Sequence, residues 1–260
     1  MPGTIHLISE AGVAHVTLDS PDKLNAISIG MWSELRSVFT NLAADESLRC
    51  VIVRGAGGNF AAGADIEEFT VERHDEASGR RYHLDLIGPT LSAITHCPVP
   101  VIAAIEGVCV GGGLEIAVSC DIRIARDDAR FGVPVGRIGF PLALPEMVPL
   151  LQLVGPGVAA ELLLANRLLD APEALAKGLV QQVLPQERFE TALADLRRGV
   201  LAGSPLAARL NKAQIRLLLA QRMRYTQHDL DASFAFFTSA DYKEGIAAFL
   251  AKRPPQFTGR

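Results

Sequence analysis

The chain has 260 residues, 49% of them apolar, enough to bury a large core in one domain or in one domain with an attached helical piece, and this excludes disorder as the dominant state. Its formal charge of -4, from 25 basic and 29 acidic residues, argues against a surface given over to nucleic acid, because such surfaces are usually basic.

Thr4 to Ser9 and Val13 to Leu18 are short runs with β-branched residues around Glu10-Ala11-Gly12, and together they predict a hairpin. After Ser20-Pro21-Asp22, the spacing of Trp32, Leu35, Val38, Phe39 and Leu42 predicts an amphipathic helix from about Ser28 to Ala44. Cys50-Val51-Ile52-Val53 reads as a buried strand that delivers the chain to a loop, Gly55-Ala56-Gly57-Gly58-Asn59, continuing through Phe60-Ala61-Ala62-Gly63-Ala64. Val71 to Thr95 reads as mostly helix, Pro100 to Ile105 as a second buried strand, Gly107 to Gly113 as a second glycine loop, Leu114 to Ser119 as a helix and Asp121 to Ala125 as a strand. Strand, glycine loop and helix thus occur twice, which favours an α/β layer architecture with parallel pairing.

Beyond Leu144 the pattern turns helical, at Gly157 to Leu164, at Glu187 to Leu201, and around Met147 to Leu153, where Pro145 and Pro149 interrupt it. Asp170 and Glu173 have capping-box spacing and Gly178 is a stop, so a short helix lies between them, and only Leu179 to Leu184 reads as strand. From Pro205 onward Leu206, Leu210, Ile215, Leu218 and Leu219, then Phe234, Phe236 and Phe237, place apolar surface on helices that either contact another subunit or pack back on the same chain.

Cys50, Cys97, Cys109 and Cys120 form no C-x-x-C pair and the histidines no H-x-x-x-H, so a metal site has no support and the thiols read as small core groups. Met1-Pro2-Gly3-Thr4-Ile5-His6 lacks a secretory pattern, and apolar runs such as Val99 to Ile105 fall short of the roughly 18 residues of a spanning helix. A cytoplasmic protein with neither membrane nor nucleic-acid partner is expected.

Side-chain-poor loops that follow buried strands let another group approach the backbone, and a helix starting there aims free N–H groups into the same space. Phosphate is a poor guest, because the residues after Gly113 are Leu114-Glu115 instead of Lys and a hydroxyl, and no G-x-G-x-x-G spacing is met. Carbonyl polarisation fits better: two N–H groups from separate loops can converge on one oxygen while Glu115 moves a proton. The plainer alternative is that both loops are turns and Glu115 is a solvated acid at a helix start.

The motifs Phe60-Ala61-Ala62-Gly63-Ala64-Asp65-Ile66, Pro100-Val101-Ile102-Ala103-Ala104-Ile105-Glu106-Gly107 and Gly111-Gly112-Gly113-Leu114-Glu115, through to Cys120-Asp121, resemble those of the crotonase superfamily, also called the enoyl-CoA hydratase/isomerase family. The resemblance runs from Leu24-Asn25-Ala26 to Lys243-Glu244-Gly245 and Phe249. It implies a spiral of β-β-α turns over residues 1–200, and over residues 201–260 a helical oligomerisation region that packs between the subunits of a homotrimer or hexamer. It also implies an acyl-CoA substrate, with coenzyme A arriving as part of that substrate and no separate cofactor. By the same resemblance the N–H groups of Ala64 and Gly112 would hold the thioester oxygen, with Gly111 beside them and Glu115 carrying the proton. Ala62, Asp65 and Ile66 would meet the adenine, Ala26 the pantetheine, and Lys23 and Lys252 the CoA phosphates.

Hydratases of this family use a second glutamate, and aligned on Glu115, Cys120-Asp121 and Phe131-Gly132 it falls on Val135, which carries no proton. Three readings follow. The chain is an acyl-CoA enzyme with altered chemistry, such as an isomerase, a lyase or a hydratase for an unusual substrate, with Glu115 moving the proton; a conventional hydratase in which another group replaces the second acid; or a CoA-ester-binding protein with little catalysis. Arg137 and Glu146 are near in sequence, without a sequence reason to place either in the pocket.

Overall fold

The structure is a computed structural model and describes residues 3–69, 73–221, 226–228 and 238–260; Phe234, Phe236 and Phe237 lie outside them. Strands β1 (Thr4–Glu10) and β2 (Val13–Asp19) form the expected antiparallel hairpin, with Glu10 opposite Val13. Ala11 and Gly12 both have positive φ, 49° and 77°, the handedness that suits a two-residue hairpin turn. The helix Ile29–Ala44 starts where the Ser28 side chain accepts from the Met31 N–H, and it buries Met31, Trp32, Leu35, Phe39 and Leu42.

β3 (Cys50–Gly55) and β4 (Val101–Ile105) are buried nearly end to end. β5 (Val108–Val110), β6 (Ile122–Arg126), β7 (Arg130–Gly132), β8 (Leu169–Asp170) and β9 (Gln182–Leu184) complete two sheets, one ordered β1-β2-β3-β4-β6-β9 and the other β5-β7-β8. From β2 to β9 the larger sheet is parallel. Alternate residues serve two cores: Val51, Val53, Val101, Ala103 and Ile105 face Trp32, Phe39 and Phe60, whereas Cys50, Ile52, Ile102 and Ala104 face Phe189 and Leu193 of the helix Gln186–Ala202. Helices therefore cover both faces, as a parallel sheet requires.

The second glycine segment is more ordered than a loop, because β5 lies inside it and pairs with β7. β7 and β8 are three and two residues long, too short to show any alternation in sequence. The segment before β4 resolves into the helices Glu76–Arg81 and Gly88–His96 with a π-turn, Tyr82–Ile87, between them. The capping box at Asp170 and Glu173 is formed, and Gly178 follows with φ 74°.

One expectation is corrected. The helix Leu144–Leu163 has 20 residues and a mean hydropathy of 1.3, so by length and composition it could cross a membrane. Pro145 sits in its first turn, where no N–H is needed, and the helix continues through Pro149, which lies inside it. Its regular geometry breaks at Gly155 (φ 69°, ψ 176°), next to Pro156, and it buries Glu146.

All four cysteines are free and buried, and burial pushes the thiols of Cys50 and Cys120 up to about 12, so they are inert packing groups at neutral pH. The helix Pro205–Ala220 is fastened to the core by polar contacts: Lys212 Nζ donates to Asp121 Oδ2 (2.6 Å) and to the Val99 carbonyl (2.9 Å), and Arg216 donates to Asp121 Oδ1 (2.9 Å). Ser204 Oγ then donates to Asp241 Oδ2 (2.6 Å), which ties in the last helix, Ala240–Leu250.

Candidate active site

The two glycine-containing segments zip together. Ala61 N–H donates to the Val108 carbonyl (2.9 Å) and Val110 N–H to the Ala61 carbonyl (3.0 Å). Further along, Ile27 N–H donates to the Gly63 carbonyl (2.7 Å) and Asp65 N–H to the Ile27 carbonyl (2.9 Å). Because backbone groups alternate in direction along an extended chain, the N–H and C=O of Ala64 point away from Ile27, and that N–H has no acceptor among the described residues. On the other segment Gly111 adopts φ 53°, ψ -125°, a region open mainly to glycine, and this turns the chain from β5 into the helix Gly112–Ser119. Gly112 is the first helical residue, so its N–H has no partner within the helix.

A methyl placed on Gly112 would lie 3.6 Å from the Ala64 nitrogen, so the two N–H groups are neighbours. Gly113 sets this approach, since a methyl there would stand 2.3 Å from the Ala61 carbonyl oxygen. Gly113→Ala is expected to cost about 2 kcal/mol through overpacking, read as a lower urea midpoint. An unchanged midpoint would show that the segments do not touch this closely.

These N–H groups border a cavity of about 260 Å3 that also contains Glu115. Glu115 is 6% exposed, so it is not a solvated acid at a helix start. Burial, and secondarily the negative charge of Glu146, hold its carboxyl well above the usual carboxylate range. Glu146 is 1% exposed, and its Oε1 shares a 2.6 Å hydrogen bond with His83 Nδ1. Two buried acids in one cavity, one of them biased towards its protonated form, can act as an acid and base pair.

Of the residues expected at the site, the cavity brings together Ala62, Ala64, Ile66, Gly111, Gly112, Glu115 and Val135. Lys23, Ala26, Asp65 and Lys252 lie outside its lining. Lys23 Nζ donates to Asp65 Oδ2 and Glu67 Oε2, both at 2.7 Å, and these two carboxylates raise its pKa. Lys252 is exposed, just beyond the last helix.

Trp32, Phe69, Arg73, Tyr82 and His83 line the cavity without having been expected there, and Phe140 lines it beside Val135, as the apolar run Phe140-Pro141-Leu142 suggests. Glu146 and Arg137, which no sequence pattern placed in the pocket, line it as well. His83 and Tyr82 reach the cavity from the π-turn, a local insertion without a sequence signature that is common at functional sites. A larger depression of about 400 Å3 lies between the helices Pro205–Ala220 and Ala240–Leu250, but its acid, Asp241, is already occupied by Ser204 and by the N–H groups of Thr258 and Gly259.

Similar proteins share this framework over its whole length. The short-chain-enoyl-CoA hydratase of Clostridium acetobutylicum is 35% identical over 257 residues, covering 95% of this chain and 94% of the relative. The crystal structure of an enoyl-CoA hydratase/carnithine racemase from Magnetospirillum magneticum superposes with a TM-score of 0.96 at 42% identity, covering 99% of this chain and 96% of that one. An enoyl-CoA hydratase from Bacillus anthracis gives a TM-score of 0.86 at 29% identity, covering 99% and 100%. The family profile described as Enoyl-CoA hydratase/isomerase matches residues 9–260. With paired glycine segments, a buried acid behind them and a crotonase fold from end to end, the chain belongs to the enoyl-CoA hydratase/isomerase family.

Proposed function

We propose that the chain adds water across the double bond of a 2-enoyl-CoA, with Glu146 taking the place of the acid missing at Val135. The observation that carries this reading is the second buried carboxylate, Glu146, in the same cavity as Glu115. The thioester oxygen would sit against the N–H groups of Ala64 and Gly112, which stabilise negative charge as it develops there. Glu146, oriented by its hydrogen bond to His83, takes a proton from water as the water oxygen bonds to Cβ, and the double-bond electrons move onto the thioester oxygen as an enolate. Protonated Glu115 then gives its proton to Cα. The net change is one water added, and exchange with solvent returns each acid to its starting state.

Coenzyme A enters as part of the substrate, and Lys23 would trade Asp65 and Glu67 for a CoA phosphate. The helices Pro205–Ala220 and Ala240–Leu250, with the depression between them, are the surface for assembly as a trimer or hexamer.

Crotonyl-CoA incubated with the protein in deuterated water is expected to yield 3-hydroxybutyryl-CoA carrying deuterium at C2. Formation of a 3-enoyl isomer in place of the hydroxyacyl product would overturn hydration as the reaction.

A further inference from the structure

Arg73 lines the same cavity as Glu115 and Glu146, and hydration gives it no task. Its guanidinium carbon lies 4.3 Å from the ring centroids of both Phe69 and Phe140 and 5.4 Å from that of Tyr82. These rings favour a cation over their faces but accept no strong hydrogen bond. Among the described residues the guanidinium makes no ion pair, and its Nη1 is buried without any hydrogen-bond acceptor. Glu146 attracts it only through space, because the Glu146 carboxylate is hydrogen-bonded to His83.

A buried guanidinium nitrogen with no acceptor carries a desolvation cost that an arriving anion would relieve. The aromatic cluster fixes the charge in place beforehand, and the planar edge of arginine matches a carboxylate with two parallel N–H···O bonds. We infer that the acyl group taken by this site ends in a carboxylate, so that the substrate is the CoA monoester of a short dicarboxylic acid, with Arg73 binding the distal carboxylate. The inference rests on the acyl-CoA reading above and narrows its substrate class. A cavity of about 260 Å3 suits a short chain of this kind.

Calorimetric titration with the saturated esters glutaryl-CoA and butyryl-CoA tests it without any need for turnover. Wild-type protein is expected to bind glutaryl-CoA about ten to a hundred times more tightly, the range of a hydrogen bond to a charged group. Arg73→Met should bring glutaryl-CoA affinity down to that of butyryl-CoA, and retained butyryl-CoA binding reports that the variant is folded. Arg73→Lys, which keeps the charge but loses the planar fork, should retain only part of the preference. Equal binding of the two esters by wild type, or an equal loss for both in Arg73→Met, overturns the carboxylate assignment alone. Failure of wild type to bind either ester overturns the acyl-CoA reading with it.

Discussion

Glu115→Gln is expected to lower kcat/KM about a thousandfold and at the same time to make the protein more stable at neutral pH. The loss follows from removing the group proposed to deliver the proton to Cα, within the range expected for a positioned acid or base. The gain follows from linkage. Burial first, and Glu146 second, raise the Glu115 carboxyl above its ordinary value of 4.5, so the folded state keeps a proton that the unfolded chain has released. Stability contributed at this position is complete below the unfolded value and falls as pH rises towards the raised folded value, by up to about 1.4 kcal/mol per pH unit. Glutamine has nothing to titrate, so the variant escapes this loss, and its advantage should widen from about pH 4.5 upward and level off above the folded pKa. Urea midpoints measured over a pH series check this. Parallel curves for variant and wild type would mean that Glu115 titrates like an ordinary surface acid.

Glu146→Gln is expected to reduce kcat by about 10²- to 10³-fold and to move the alkaline limb of the pH profile downward. The amide can still hydrogen-bond to His83, so the local frame is kept while the base is lost. Removing the Glu146 charge takes away one of the two causes that raise Glu115, so Glu115 loses its proton at a lower pH. A normal rate in the variant would assign the second proton transfer elsewhere. A fall in kcat with an unmoved pH profile would show that the two acids do not sense each other.

The sequence went far towards the first half of this site. The β3 and β4 runs, the glycines at 63 and 111–113 and Glu115 lie in consecutive segments, where a strand, a turn and a helix start leave their mark on spacing. Burial of Glu115 was not legible, since an acid near a helix N-terminus reads equally well as solvated. The short strands β5, β7 and β8 were missed because two or three residues cannot display a period. Lys23 illustrates the opposite limit: its charge is plain in sequence, while its commitment to Asp65 and Glu67, more than forty positions away, is not.

By itself, then, the sequence determined the α/β class, the family and the glycine segments that lead to Glu115, because these depend on local periodicity and on glycine at particular steps. Only the tertiary structure decided what faces Glu115. Glu146 reaches the cavity from the start of the long apolar helix, His83 from a π-turn 63 positions earlier, and Arg73 through packing on Phe69, Tyr82 and Phe140. None of these approaches has a spacing that repeats along the chain. Each follows from how layers stack around the sheet, and that stacking puts two acids in one cavity, where burial first and the charge of Glu146 second hold a proton on Glu115.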